Sequence, residues 1–340
     1  MKRAIVLFNL GGPDAPHSVQ PFLFNLFSDR AIIALPQPLR WLVAKLISTR
    51  RAPVAQEIYA HIGGKSPLLD LTQAQADALK VALDAAAPED EFKVVIAMRY
   101  WHPFASEAAQ QLKAFLPDEI TLLPLYPQFS TTTTGSSALE WEKVARQAGL
   151  GDVPTKTVCC YPTQSDFVAA HAAMLAPYVG DANTRVLFSA HGLPKRVVER
   201  GDPYQWQIEQ TVAATVAALG KPDLDYVTCY QSRVGPLEWI GPATEDEIER
   251  AGDEGKSLVV VPIAFVSEHS ETLVELDIEY GELAHKAGVP SYKRVPALGT
   301  DASYVRALTQ SVMAAGPGVA PVGGRRVCPR GFSKCPCKAA

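Results

Sequence analysis

The sequence contains no uninterrupted apolar stretch of the about 18–20 residues that a membrane span requires. The apolar run after Met-Lys-Arg covers only residues 4–10 and stops at Gly-Gly-Pro, so it is expected to be a first strand rather than a signal peptide. Basic excess is missing too: the net charge of −4 leaves no basic face for nucleic acid. No Gly-x-Ser-x-Gly elbow accompanies Ser189 and His191, which removes the α/β-hydrolase reading. The phosphate loop is also absent, since Ile62-Gly-Gly-Lys-Ser66 lacks the leading glycine and follows no strand. With a cytoplasmic location expected, the six cysteines are read as thiols or ligands rather than disulfides.

What is present is a globular composition, 47% hydrophobic and 20% charged over 340 residues, enough for two domains. Strand-length apolar runs recur at residues 4–10, 93–98, 120–125, 185–189, 225–229, 258–266 and 292–296, with a weaker one at 155–160. Helical patterns lie between most of them, at 71–87, 106–115, 136–148, 166–178 and 204–219. Strands alternating with helices predict an α/β protein with parallel sheets covered on both faces.

Three pairs of segments echo each other in the same order. VLFNLGGP (6–13) resembles VLFSAHGLP (186–194), VIAMRYWHP (95–103) resembles YVTCYQSRVGP (226–236), and LLPLYPQFSTTTTGSS (122–137) resembles VVPIAFVSEHSET (260–272). The repeat predicts two similar doubly wound, Rossmann-like lobes with a cleft between them. The boundaries are set at 1–150, with an inserted lip segment 15–66, then 151–315, then a linker and cysteine tail at 316–340. Ligands of such sheets sit beyond the carboxyl ends of the strands. Asn9, Arg99, Tyr100, His191, Gln231 and His269 all fall there. In the lip, Trp41, Leu42, Leu46 and Ile47 mix with Arg40, Lys45, Arg50 and Arg51. That pattern fits an ordinary helical hairpin, or a lip that meets a hydrophobic anionic ligand or a membrane surface.

Residues 262–284 carry no Lys or Arg. Their glutamates at 268, 271, 275, 279 and 282 fall on one stripe of an α-helix capped by Ser267 or Ser270. Like charges four residues apart each cost about 0.2–0.5 kcal/mol. A row of carboxylates headed by His269 reads as a track for a cation; the competing reading is a solvated acidic face.

The motifs LFNLGGPDAP, YAHIGGKSPL, MRYWHPF, LYPQFSTTTTGSS, SAHGLPKRVVERGDPY, CYQSRVGPLEWIGP and PIAFVSEHSETLVELDIEYGELA together resemble the ferrochelatases, from about Ile5 to Asp301. The resemblance implies a class II chelatase-like fold and an enzyme inserting Fe²⁺ into protoporphyrin IX, in haem biosynthesis. It places the catalytic histidine at His191, its acidic partner across the cleft at Glu271 with His269 beside it, and Glu275 further along the acidic helix as a metal contact. It places porphyrin contacts at Leu10, Tyr59, Ser66, Arg99, Tyr100 and Trp239, and a propionate-facing base at Arg51. His191 suits either proton uptake or Fe²⁺ ligation, and the residues alone do not separate the two. Alternatives are a coproporphyrin ferrochelatase or cobalt chelatase of the same fold, or a tetrapyrrole or metal carrier without chemistry.

Beyond a glycine-rich stretch at 316–324, Cys328, Cys335 and Cys337 are spaced C-x6-C-x-C, a pattern for metal ligation. A Cys₄ site holding zinc or an iron–sulfur cluster needs a fourth thiolate from Cys159, Cys160 or Cys229. Some ferrochelatases carry a [2Fe–2S] cluster on such a tail, so the resemblance favours the cluster. Animal members draw their remote ligand from the stretch matching residues 129–131, where this chain has no cysteine. Cys159 or Cys160 is therefore expected to serve, and only one of them, because strand neighbours face opposite ways.

Overall fold

The computed structural model describes residues 1–233, 235–322 and 324–337. The chain divides into two compact units. One comprises Met1–Tyr126, Ser130–Cys159 and Ser311–Gly324; the other comprises Pro127–Phe129, Cys160–Gln310 and the chain from Arg325 onward.

The first unit is built on a five-stranded parallel sheet of β1 (Lys2–Asn9), β2 (Glu91–Met98), β3 (Glu119–Pro124), β4 (Thr155–Val158) and β9 (Gly318–Ala320), in the order β2-β1-β3-β4-β9. Its central strand is apolar on both faces because both faces are covered. Ala4, Val6 and Phe8 join Val95, Ile120 and Leu122 under helices 105–115 and 134–148. Ile5 and Leu7, equally buried, point the opposite way, and helix 68–86 packs against β2.

The second unit repeats the plan with four parallel strands: β5 (Thr184–His191), β6 (Asp225–Gln231), β7 (Ser257–Pro262) and β8 (Tyr292–Arg294), in the order β6-β5-β7-β8. Val186, Phe188 and Ala190 face a core shared with Ile208 and Val212 of helix 204–219. Leu187 faces the other core with Ile248 of helix 244–253 and Ala284 of helix 280–286. Strand order β2-β1-β3-β4 thus matches β6-β5-β7-β8, and each echoed sequence pair lies on matching strands. The structural match also moves one repeat point. The amide of Met98 donates to Pro103 O and that of Tyr230 to Pro242 O, so Pro103 corresponds to Pro242 rather than to Pro236.

Three expectations are corrected. The stretch 316–324 is not a flexible linker throughout, because its residues 318–320 pair with β4 as an edge strand. The apolar run 258–266 is not one strand: β7 ends at Pro262, Ile263 N–H makes a last bond to Ser189 O, and Phe265 N–H turns back onto Pro262 O. The acidic helix starts after Ser270, one of the two expected cap positions, but it is not an α-helix. Glu271–Glu279 forms a π-helix with Ser270 at its N-cap, no side-chain cap, and Tyr280 N–H donating to Glu275 O. Segment 15–66 is a helical hairpin of Val19–Ser28 and Leu39–Ala60, packed on each other, with Leu39, Trp41, Leu42 and Leu46 about half exposed. Among the described residues no helix is long and apolar enough to cross a membrane.

Candidate active site

β5 and β6 deliver two neighbours to the carboxyl end of the second sheet. His191 is the last residue of β5 and pairs in register with Gln231, the last of β6. Gly192 follows closely enough that a Cβ there would meet Gln231 O at 2.9 Å and Trp239 Cε3 at 3.2 Å, so no larger residue fits between strand end and indole. Tyr204 OH donates to His191 O at 3.1 Å, which fixes the backbone of the strand end.

The π-helix brings its first and fifth residues to the same place. His191 Nδ1 lies 2.8 Å from Glu271 Oε2, leaving Nε2 for a substrate, and the imidazole is 40% exposed. His269 Nε2 stands 4.0 Å from the same carboxylate oxygen. Ser232 joins the two carboxylates: its Oγ is 3.3 Å from Glu271 Oε2 and 2.5 Å from Glu275 Oε2. Glu275 also accepts from Ser232 N–H at 2.8 Å, Gln231 Nε2 at 3.1 Å and Tyr280 OH at 3.2 Å. Gln231 is held in turn by Ser189 Oγ, which donates to its Oε1 at 2.8 Å. Ser232 has φ +62°, a left-handed conformation that costs a non-glycine residue about 1–2 kcal/mol. Its N–H and Oγ both donate to Glu275, and those bonds hold it there.

Burial and charge divide the protons among these groups. Burial alone would pull the His191 pKa down, but the Glu271 carboxylate outweighs it and holds it above the ordinary value. Glu271 is held well below the carboxylate range: burial opposes this, and the His191 charge and hydrogen bond overcome it. Glu275 is pushed up to about 7 by burial and by the charge of Glu271, against the donors that favour its anion. His269 is lowered by burial, so it stands neutral beside the pair, with Nδ1 lacking a partner among the described residues. The arrangement offers a half-exposed basic imidazole backed by one charged and one readily protonated carboxyl.

The rest of the acidic stripe separates from this site. Glu268 is paired with Arg294 at 2.9 Å, an arginine contributed by β8, so a charge far away in sequence neutralises it. Glu279 and Glu282 are exposed, and Glu282 lies 3.6 Å from Lys286.

In the first unit, Leu10, Tyr59 and Tyr100 share one apolar cluster. Ser66 lies against Gly12, where a Cβ would come within 2.5 Å of its Oγ. Arg99 is held on Asp29, at 3.0 Å, and on Ser136 Oγ, at 2.8 Å, and its guanidinium lies 5.1 Å over the Tyr100 ring. Tyr100 OH donates to Asp29 at 2.8 Å. Arg51 stands apart, exposed on helix 39–60. Trp239, in the second unit, bridges backbone to backbone with Pro194.

Four cysteines meet in the second unit. The Cys335 thiol is hydrogen-bonded with those of Cys328 and Cys337, which hold it far below the thiol range, and Cys328 is raised as it keeps the shared proton. Gln207 Nε2 is 3.1 Å from Cys328 Sγ and 3.4 Å from Cys160 Sγ. Arg326 fastens the tail by donating to the carbonyls of Cys328, Pro329, Phe332 and Cys337 at 2.8–3.3 Å. Cys159 belongs to the first unit, where its N–H donates to Ala320 O at 2.9 Å. Cys229 lies on β6 beneath Thr244. Among the described residues no set of three or more His, Cys, Asp or Glu converges as for a single ion. Four thiols brought to one place are the donor set that a Cys₄ site takes, whether for zinc or for an iron–sulfur cluster.

The sequence reading missed Ser232, Tyr204, Asp29 and Gln207, and their roles arise from contacts across the fold. Ser232, beside Gln231, and Tyr204, the last residue of SAHGLPKRVVERGDPY, lie inside recognised motifs, where a signal could have been sought.

Compared with known proteins, residues 2–315 match the family profile described as Ferrochelatase. The ferrochelatase of Caulobacter vibrioides is 53% identical, with 99% of this chain and 98% of that protein covered. The ferrochelatase of Pelagibacter ubique is 49% identical over 99% of both. That of Rickettsia bellii is 52% identical over 98% of this chain and 94% of its own. Among solved structures, SirB from Bacillus subtilis with Fe³⁺ superposes with a TM-score of 0.52 at 15% identity, covering 92% of this chain and 95% of SirB, a likeness of fold alone.

Proposed function

The chain belongs to the ferrochelatase family, and from that premise we propose that it inserts Fe²⁺ into protoporphyrin IX, with His191 as proton acceptor and Glu271 as its charged partner. The chain is an enzyme, a ferro-lyase of haem biosynthesis. The observation that carries the assignment of roles is the His191–Glu271 contact of 2.8 Å with His191 Nε2 left for substrate.

A free-base porphyrin loses two N–H protons as the metal enters, so a base must face the ring. His191 takes a proton at Nε2, and the imidazolium is stabilised through Nδ1–H to Glu271. Ser232 Oγ, within reach of both carboxylates, gives a proton arriving at Glu271 a way on to Glu275 and away from the porphyrin. The same imidazole and carboxylate are Fe²⁺ ligands by type, and Glu275 completes the path of the metal. Leu10, Tyr59, Ser66, Arg99, Tyr100 and Trp239 are the proposed porphyrin contacts, and Arg51, free on its helix surface, the propionate contact. Insertion of Fe²⁺ assayed anaerobically with protoporphyrin IX and with coproporphyrin tests the reading. Preference for coproporphyrin would replace the substrate, and binding without metallation would make the protein a carrier.

Cys160, Cys328, Cys335 and Cys337 are the proposed ligands of a [2Fe–2S] cluster. When bound, such a cluster supplies a one-electron couple and a covalent tie for the tail. Cys160 is preferred to Cys159 because it shares the Gln207 amide with Cys328. Zinc with no visible absorption would overturn the cluster. The half-exposed Leu39, Trp41, Leu42 and Leu46, flanked by Arg40, Lys45, Arg50 and Arg51, support a peripheral membrane contact through this helix. Cytoplasmic residence belongs to the same reading, because cysteines serving as metal ligands call for a reducing compartment.

A further inference from the structure

Gln207 is fully buried on helix 204–219, and its side-chain amide is oriented by a donor that cannot change roles. Phe129 N–H points at Oε1 at 2.7 Å, and a backbone N–H only donates, so the carbonyl oxygen must face it. The NH₂ group is thereby turned toward sulfur. Its two hydrogens have two acceptors, Cys328 Sγ at 3.1 Å and Cys160 Sγ at 3.4 Å. The backbone behind it is equally fixed: Gln207 O accepts from Thr211 Oγ1 at 2.9 Å, and Thr211 Oγ1 accepts from Gln128 Nε2 at 3.0 Å. Gln207, Thr211 and Thr215 form a fully buried polar row at four-residue spacing inside an otherwise apolar core. Filling an apolar core does not require an amide with two donors aimed at two cysteines.

The geometry points to Gln207 as a positioning residue of the cluster, tying its two ligands most distant in sequence and raising its reduction potential through paired N–H···S bonds. The inference rests on the cysteine-site reading above. Once Cys160 and Cys328 are thiolates, each bond becomes charge-assisted. A donor on a ligating sulfur withdraws electron density that would otherwise reach the iron. The reduced, more negative state gains more from this than the oxidised one, so the potential moves up. Gln207 acts on the cluster through its ligands and touches no porphyrin or substrate iron.

Iron, zinc and acid-labile sulfide are measured first on the intact protein. Zinc without sulfide would end both the cluster reading and this inference. With the cluster present, redox titration compares wild type with Gln207→Leu and Gln207→Glu. Leu removes both donors without adding a charge, and Glu keeps the acceptor for Phe129 N–H, so a fall in midpoint shared by both is not owed to loss of the structural bond. Both variants are expected to raise the oxidised-to-reduced ratio at the wild-type midpoint by about tenfold, or about 59 mV for a one-electron couple. A midpoint unchanged in both variants, or unchanged in Gln207→Glu alone, would overturn the inference and leave the cluster standing. Should the variants fail to fold, wild-type protein labelled with ¹⁵N-glutamine decides the matter. Pulsed paramagnetic resonance of the reduced cluster should show coupling to a side-chain amide nitrogen, and absence of that coupling is a refutation.

Discussion

Matching strands of the two units end in different chemistry. β1 ends at Asn9, whose Nδ2 donates to Thr72 Oγ1 at 2.9 Å and whose Oδ1 accepts from Leu10 N–H at 2.8 Å. β5 ends at His191, 40% exposed, with one ring nitrogen on a carboxylate. After β2 comes Arg99, closed onto Asp29 and Ser136; after β6 comes Ser232, forced into a left-handed turn between two glutamates. After β3 an ordinary α-helix begins at Thr134, whereas after β7 a π-helix begins at Glu271. The sheets share their order over four strands, so what distinguishes the units lies at and just past the strand ends. At these strand ends one unit closes its polar side chains onto fixed partners, and the other gathers a half-exposed imidazole and two carboxylates that share a serine hydroxyl.

The largest effect expected from breaking this contrast is at the two central strand ends. His191→Ala should lower iron insertion by about 10²–10⁴-fold while porphyrin still binds, as measured by anaerobic turnover and fluorescence quenching. Asn9→Ala should instead cost about 1–3 kcal/mol of stability by stripping the Leu10 N–H of its partner, with turnover altered only a few-fold. Near-normal turnover in His191→Ala would remove the histidine from the reaction.

A smaller effect separates the carboxylates. Neutral His191 is the active form for either proton uptake or metal ligation, and Glu271 raises its pKa. kcat/KM should therefore rise with pH through a midpoint above about 6.5, the ordinary histidine value. Glu271→Gln should reduce the plateau at least tenfold and move the midpoint downward, since the charge that raised it is gone. Glu275, pushed up to about 7, titrates in the same window, so the wild-type limb belongs to the coupled pair. Glu275→Gln should narrow that limb toward a single step. Glu282→Gln, on an exposed residue beside Lys286, should change neither. Equal small effects at 271 and 282 would restore the solvated acidic face.

The range of each interaction decides how much of this contrast is legible in the sequence. The strand runs and the repeat were legible because buried parallel strands need continuous apolar runs, and turns need Gly and Pro. Motif resemblance named His191 and Glu271 as partners but set the carboxylate across a cleft, and their direct contact within one unit was not legible. The π-helix was not, because five-residue hydrogen bonding leaves no periodicity distinct from an α-helix over nine residues. Arg294 neutralising Glu268 and the Gln207 amide reaching two cysteines depend on chain segments far apart in sequence. β9, three residues beginning at a glycine, carries too little pattern to distinguish it from a linker.

The cysteines sharpen the comparison with a smaller change in turnover. Cys160→Ser should bleach the visible absorption of anaerobically purified protein, as should Ser at Cys328, Cys335 or Cys337. Cys159→Ser, one residue earlier and in the other unit, should not. Loss of turnover in the bleached variants should follow loss of thermal stability, because ligand binding energy at such a site is folding energy. Bleaching by Cys159→Ser and not by Cys160→Ser would reverse the assignment.

The smallest expected effect concerns a histidine that does no chemistry. His171 lies buried on helix 165–175, its ring 4.8 Å from that of Phe167, with Nε2 unpartnered among the described residues. Burial lowers its pKa to about 3, whereas His191, with a carboxylate beside it, is raised. In the unfolded chain His171 would titrate near about 6.5, so on acidification the unfolded state binds a proton that the folded state refuses. Its effect on stability is nil above that pH and grows unfavourable below it, by about 1.4 kcal/mol per pH unit down toward the folded value. His171→Phe keeps a ring against Phe167 and removes the proton site. Comparing wild type with the variant at pH 7.5 and pH 5.5 cancels the titrations they share. Between those two values the variant should gain about 1.4 kcal/mol relative to wild type by denaturant midpoint, with kcat/KM at pH 7.5 unchanged. A stability difference independent of pH would mean that His171 is already satisfied in the folded protein.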